Sequence, residues 1–253
     1  MPSAILKENL LEAASLTSST EDTAFTLSNL FDGIAASRFA FTVTTGGWIE
    51  VDNGSAKAFD TLHFVNHNLD SGVDIDVFAG ATPNPGTPIA SNIPWREFDI
   101  WKDLGTQSAR YVRVVFSESN SDNTALGELR LGTRVELPQA HRFGKVPGKT
   151  NRDIFHETQA DVAWVYHVSS REIRELMWRI LETDLAKFEA LFDDVLARTI
   201  PFTFIMDTTT VDVMLVRFLE AAYRPKELNE PMEIPGYDVE FKVKEESRGV
   251  LLG

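Results

Sequence analysis

Hydrophobic and polar positions alternate along the first half of the chain with a period of two. In "GGWIEVDNG", Trp48, Ile49 and Val51 mark a strand that Asn53-Gly54 is expected to close. "AFDTLHFVNHN" sets Leu62, Phe64 and Asn66 against Thr61, His63 and Val65. "GVDIDVFAG" sets Val73, Ile75 and Val77 against Asp74 and Asp76. Tyr111, Val112, Val114 and Val115 fall between the arginines of "ARYVRVVF", and "LGELRLG" closes the set. The stretch "GATPNPGTP" is too rich in proline and glycine for a central strand. Short strands between regular turns predict an all-β sandwich.

The pattern changes after about residue 134. "DVAWVYHVSS" reads as a strand, but "REIRELMWRILE" reads two ways. Ile173, Leu176, Trp178 and Ile180 suit a two-residue period with one irregularity. Ile173, Leu176, Met177 and Ile180 suit a helix, with Ser169 and Glu172 as a capping box. A hairpin across Ser169-Ser170 is the favoured reading. In "TDLAKFEALFDDVLAR", Leu185, Phe188, Leu191, Phe192, Val195 and Leu196 share one helical face, and Thr183 or Asp184 can cap its start. Pro201 stops that helix, "PFTFIMD" is a strand, and "VDVMLVRFLEAAYRP" holds another. "YDVEFKVKEES" alternates Val239, Phe241 and Val243 against Glu240, Lys242 and Lys244. The expectation is an α+β unit, an antiparallel sheet with one packed helix. The junction "RLGTRVELPQAHRFGKVPGKTNRD" reads as a connection followed by a loop, or as a loosely held edge segment. The chain is therefore mainly β, with a sandwich domain over 1–134 and an α+β domain over 135–253.

Composition narrows the function classes. The absence of cysteine excludes disulfides, thiolate catalysis and cysteine-ligated zinc. The net charge is −14, with 17 acidic against 9 basic residues over 1–134 and 21 against 15 over 135–253. Excess acid in both halves disfavours capture of nucleic acid or an anionic membrane. No stretch has the roughly 18–20 apolar residues of a membrane helix, so no membrane insertion is expected. "MPSAILKENLLEAAS" does not read as a secretory signal, and synthesis in a cytoplasm is the simplest reading.

Two resemblances follow. "LSNLFDGIAASRF", "GGWIEVDNG", "ARYVRVVF" and "GELRLG", in that order over residues 11–134, resemble the discoidin or coagulation-factor type C jelly roll. Galactose-binding carbohydrate modules share that fold. The resemblance implies a sandwich whose end loops bind glycans, and it implies no enzyme. Phe39 stands where a tryptophan is usual, and the frequent cysteine pair is absent. Over 140–248, "WRILETDLAKFEALFDDVLARTIPFTFIMD" and the closing "VEFKVKEE" resemble bacteriophage tail-tip and distal tail proteins, which share a ring-forming fold with tail-tube proteins. "AILKENLLEAASL" and "VNHNLDSG" are similar to the start of many phage structural proteins.

Few residues stand out chemically. His63 and His67 are four apart, but on a strand that spacing is about 13 Å, too far to share a zinc ion. "HFVNHNLD" therefore reads as a strand end and an Asn-rich turn. The discoidin resemblance places Asp32, Ser37 and Glu128 where some such modules hold calcium. Ile34 and Ala35 occupy loop positions that could have been acidic or amide, and the reading without a metal is favoured. Trp95, Arg96 and Trp101 in "IPWREFDIWKD" are the candidate glycan or partner contacts, an aromatic platform with an arginine; core or interface packing is the alternative. Asp193-Asp194 and Glu245-Glu246 read as solvated, and no nucleotide loop, "GxSxG" or "HExxH" is present. No catalytic residue, cofactor or metal is assigned.

The expected function is structural: a tail-tip or baseplate component of a virion, resembling distal tail proteins. Its expected partners are its own copies in a homo-oligomeric ring and other tail proteins (tube, hub and fibres). The jelly roll would dock fibres or hold a cell-surface glycan weakly. The alternative is a carbohydrate-binding module with an accessory domain.

Overall fold

In the computed structural model the backbone is described for residues 3–97, 99–137, 142–143, 148–157, 163–181, 186, 189–190, 193, 201–207, 212–218, 224–227 and 236–245. Beyond Leu137, side chains are described only at 186, 189–190, 193, 201–205, 213–217 and 245. The strands of the first half are β1 (Ala4–Leu6), β2 (Ser15–Ser18), β3 (Phe39–Ala40), β4 (Thr45–His67), β5 (Asp74–Gly80), β6 (Pro88–Ala90), β7 (Ile100–Ser119), β8 (Ala125–Gly132) and β9 (Val135–Glu136). Those of the second half are β10 (Arg142–Phe143), β11 (Gly148–Glu157), β12 (Ala163–Leu181), β13 (Phe202–Asp207), β14 (Asp212–Phe218), β15 (Arg224–Glu227) and β16 (Gly236–Glu245).

The sandwich is built by two long strands that each serve both of its layers. The N-terminal part of β4 pairs with β2 and with the second part of β7, which pairs onward with β5. The C-terminal part of β4 pairs with β8 and with the first part of β7. Asn53-Gly54 therefore does not close a strand. Pairing passes from Asp52↔Tyr111 to Lys57↔Ala109, so residues 53–56 bulge out opposite Arg110. Gly54 takes φ +71°, a conformation that Asn-Gly supplies for a bulge as readily as for a turn. Arg110 locks the corner with a fork onto Asp52, at 2.7 and 2.9 Å.

Between the layers lie Ile49, Val51, Phe64, Leu62, Ile75, Val77, Val112, Val114, Leu129 and Leu131, all buried. Phe39, Phe41, Phe116 and Phe64 join edge to face at centroid distances of 4.8, 5.9 and 6.0 Å. Each such contact adds about 0.5–1.5 kcal/mol beyond burial. Phe39 is fully buried in this chain of rings.

The second sheet runs β10-β12-β16-β14-β13-β1-β9 and is antiparallel at every pairing. Its member β1 precedes the sandwich in sequence and pairs with β9, which follows it, so the sandwich's two ends lie side by side. One expectation is corrected here. Ser169-Ser170 is not a hairpin turn: the serines lie inside β12, which carries the favoured strand reading of "REIRELMWRILE" over residues 171–181. The partner β11 is continuous past the serines, and only a register shift at Arg152/Asp153 marks the place. The edge-segment reading of the junction fits β10 and β11, which line one edge of β12. Ala186, Glu189, Ala190 and Asp193 are helical and face outward, wholly or in part, as the polar side of the expected helix. Its apolar face lies outside the described residues.

The outer face of the β8-β4-β7 layer is covered. Trp101 packs with Ala4, Ile205 and Val213, and Val65 with Ala35 and Leu215. The sandwich thus rests on β1, β13 and β14.

Candidate functional site

Four loops meet at the end of the sandwich opposite the bulged corner. Asp22, Phe25, Arg38, Ala40, Thr44, Asn68, Ser121, Asp122, Asn123 and Ala125 line a cleft of about 330 Å³ there, at the lower end of small-molecule sites. Amide side chains hold its walls together. Asn68 accepts from Ala125 N through Oδ1 (2.7 Å) and donates through Nδ2 to Asn123 O (2.9 Å). Asn120 Oδ1 accepts from Asp70 N at 2.8 Å. The Arg38 guanidinium lies 4.2 Å over the Phe25 ring. A wall offering carboxylate acceptors, amides, one guanidinium and an aromatic edge suits a hydroxyl-rich ligand, whose groups both donate and accept.

"HFVNHNLD" forms one flank of this end. β4 runs to His67, with Asn66 at φ +54° just before its end. His67 Nδ1 accepts from Leu69 N at 3.2 Å, so this histidine serves the turn. His63 is fully buried against the second sheet, with Nδ1 2.9 Å from Thr203 Oγ1 of β13 and Nε2 3.5 Å from Asp99 Oδ2. Threonine, histidine and aspartate are thus aligned as in a nucleophile relay. Thr203 and His63 have no exposed surface, so no substrate reaches the hydroxyl. No group of three metal-ligating side chains occurs among the described residues.

The three candidate contacts do not share a surface. Trp95 is 36% exposed, and its Nε1 donates to Leu69 O at 2.6 Å, beside the cleft wall. Arg96 is exposed in the same loop. Trp101 is 8% exposed and packs under the second sheet, so its ring is unavailable to a sugar. Sequence reasoning missed Asp22, Phe25, Arg38, Asn68, Asp122 and Asn123 as a group. The density of Asn and Asp in "VNHNLD" and "NSDN" was the one signal.

Asp32 and Ser37 are hydrogen-bonded to each other, and Glu128 is paired with a buried arginine. Asp32 Oδ1 accepts from Ile34 N (2.8 Å) and Oδ2 from Ser37 Oγ (2.6 Å). Glu128, 1% exposed, accepts from Arg130 Nη1 at 3.1 Å. Burial pushes the Glu128 carboxyl up to about 7 against the pull of Arg130, with Asp32 and Glu12 adding repulsion. Burial also lowers the Arg130 guanidinium from its usual value, against the pull of Glu128 and Glu12.

No known protein-family profile matches the chain, and no curated protein matches it. Solved structures similar to about half of it include chitosan-binding module 1 of a chitosanase/glucanase from Paenibacillus sp. IK-5. That module is 20% identical, with a TM-score of 0.42 over 49% of this chain and 98% of its own. The Clostridium perfringens module CpGH89CBM32-5, solved with GalNAc-β-1,3-galactose, is 12% identical, with a TM-score of 0.44 over 49% of this chain and 99% of its own. A Ruminococcus gnavus GH29 fucosidase, solved with fucose, is 15% identical, with a TM-score of 0.45 over 51% of this chain and 27% of its own. Similarity at this level carries nothing about ligand or activity. Nothing in the comparisons supports a bacteriophage tail protein.

Proposed function

We propose that the protein is a binding module that holds a saccharide in the loop-end cleft and uses its second sheet to carry that module. The observation that supports this is the cleft itself: about 330 Å³, walled by amides and carboxylates, with Arg38 stacked on Phe25. Trp95 beside it is the aromatic surface available for stacking. The test is a glycan array probed with the full chain, followed by calorimetry on the best hit. Arg38→Ala and Trp95→Ala should each weaken binding about tenfold or more, equivalent to about 1.4 kcal/mol. A chain that binds nothing on the array, or whose affinity ignores Arg38→Ala, sinks the reading.

A second reading, a ring-forming tail-tip component with the jelly roll facing outward, is favoured by one feature. β12 pairs with β16 only from Ile173 to Leu181, whereas its pairing with β11 runs on to Ala163. The hairpin of β11 and β12 thus extends about 30 Å past β16. Among the described residues nothing pairs with the second edge of β12 over 163–172. An unpaired edge of that length is a template for another strand, and closure with a second copy would cover it. Light scattering on size-exclusion fractions separates the two readings: a closed oligomer supports assembly, and a monomer at high concentration removes it.

A further inference from the structure

The bulge at the corner of the sandwich holds the one Asn-Gly pair of the chain, Asn53-Gly54. Such a pair can react with itself. The Gly54 nitrogen attacks Asn53 Cγ, the Cγ–Nδ2 bond breaks, and ammonia leaves carrying the Gly54 proton. Water then opens the cyclic imide at either carbonyl and leaves aspartate or isoaspartate. Water is the only co-reactant, and nothing is oxidised or reduced. Glycine favours the attack because it places no side chain beside the nitrogen. Gly54 is exposed, and a Cβ there would meet nothing within 4 Å, so water reaches the bulge.

In the folded chain both reacting groups are engaged elsewhere. Asn53 Nδ2, the leaving group, donates to Arg110 O at 3.1 Å. The Gly54 N–H donates to Asp52 Oδ1 at 2.8 Å. The nitrogen must lose that proton to attack, and the resulting anion would lie 2.8 Å from a carboxylate. Asp52 is itself a poor base for the step, because the Arg110 fork holds its carboxyl well below the usual carboxylate range. Attack needs Cγ placed against the Gly54 nitrogen, and each hydrogen bond restrains one of the two partners. Arg110 stands behind both restraints: its carbonyl takes Asn53, and its guanidinium fixes Asp52.

We propose that Asn53-Gly54 is a self-modification site gated by the corner of the sandwich: silent while the Arg110 fork holds Asp52, and free to close the imide once the fork lets go. The step runs one way. Aspartate at 53 has no donor for Arg110 O, and isoaspartate adds a methylene to the backbone of β4, the strand that serves both layers. This goes beyond the saccharide reading and does not rest on it. The experiment incubates the full chain at about pH 8, folded and in urea, and follows the exchange of amide for acid at residue 53 by peptide-map mass spectrometry. The folded wild type should react at least about tenfold more slowly than the unfolded chain; equal rates overturn the proposal. Arg110→Ala keeps the carbonyl and loses the fork, so it should react several-fold faster than the wild type while still folded by circular dichroism. A folded Arg110→Ala that reacts no faster overturns the proposal equally. Should Arg110→Ala fail to fold, Arg110→Lys, which keeps the charge without the two-pronged contact, is held to the same criterion.

Discussion

Replacing Glu128 by glutamine should remove one defined component of the protein's pH dependence. The carboxyl is 1% exposed, and burial raises it from an ordinary 4.5 to about 7 despite the guanidinium at 3.1 Å. The folded state therefore binds this proton more tightly than the unfolded chain does. A raised carboxyl contributes stability that is complete below the unfolded value and lost as pH rises through the folded one. The window is thus about pH 4.5 to 7. At about 1.36 kcal/mol per pH unit, the full span corresponds to about 3 kcal/mol. Glutamine keeps the volume and can still accept from Arg130 through Oε1, but it has no proton to gain. The stability of Glu128→Gln minus that of the wild type should therefore fall by about 3 kcal/mol between about pH 8 and pH 4.5. Urea unfolding followed by circular dichroism at several pH values measures it. Every other titrating group contributes to both proteins and cancels from the difference. Parallel stability curves would refute the reasoning, because they would mean that burial does not govern this carboxyl.

Three further substitutions probe the interface between sandwich and second sheet. Trp101→Ala empties a site closed by Ala4, Ile205 and Val213 and should cost about 3–5 kcal/mol in denaturant unfolding without changing saccharide affinity; a loss of affinity at full stability would return Trp101 to the binding surface. Thr203→Val removes the hydroxyl 2.9 Å from His63 Nδ1 and should cost about 1–3 kcal/mol by the same measurement, whereas no change would make that contact incidental. Gly127→Ala places a methyl 2.4 Å from Ala35 O and should cost about 1–3 kcal/mol, with faster hydrogen exchange over 32–37; unchanged exchange would mean the loop is not seated on β8.

The strand pattern was legible where one face of a strand meets the core. Val73, Ile75 and Val77 against Asp74 and Asp76 is such a case, because Asp74 is exposed and Asp76 half-buried. It misled where both faces are covered. Thr61, His63 and Val65 alternate with the core residues as though they faced water, yet all three are buried, His63 against Thr203 of β13 and Val65 against Leu215 of β14. Asn53-Gly54 carried the chemistry of a turn, and nothing local told a hairpin from a bulge at the corner of two layers. "REIRELMWRILE" was ambiguous by periodicity, and pairing with β16 decided it in favour of a strand. The cleft was illegible for a related reason. Phe25, Arg38, Asn68 and Asn123 lie on four loops, and only the register of the strands between them brings them together.

The polar character of the buried face under the second sheet bears on how the two parts are held. Trp101 Nε1, Glu128 Oε2, and Nε and Nη2 of Arg130 are buried there and make no hydrogen bond among the described residues. Groups of this kind in a closed seam are met by ordered water or cost stability, and an apolar seam of the same shape would serve stability at least as well. What the polar groups add is direction. Leucine against isoleucine packs acceptably over a range of offsets, whereas His63 meets Thr203, and Arg217 meets Gly33 O, in one placement only. A sheet slipped by one residue would leave each of these groups buried and unmatched. The seam therefore fixes the register of sandwich on sheet more than it strengthens the contact. That is what a module needs if its cleft must be presented in a defined direction by the part that carries it.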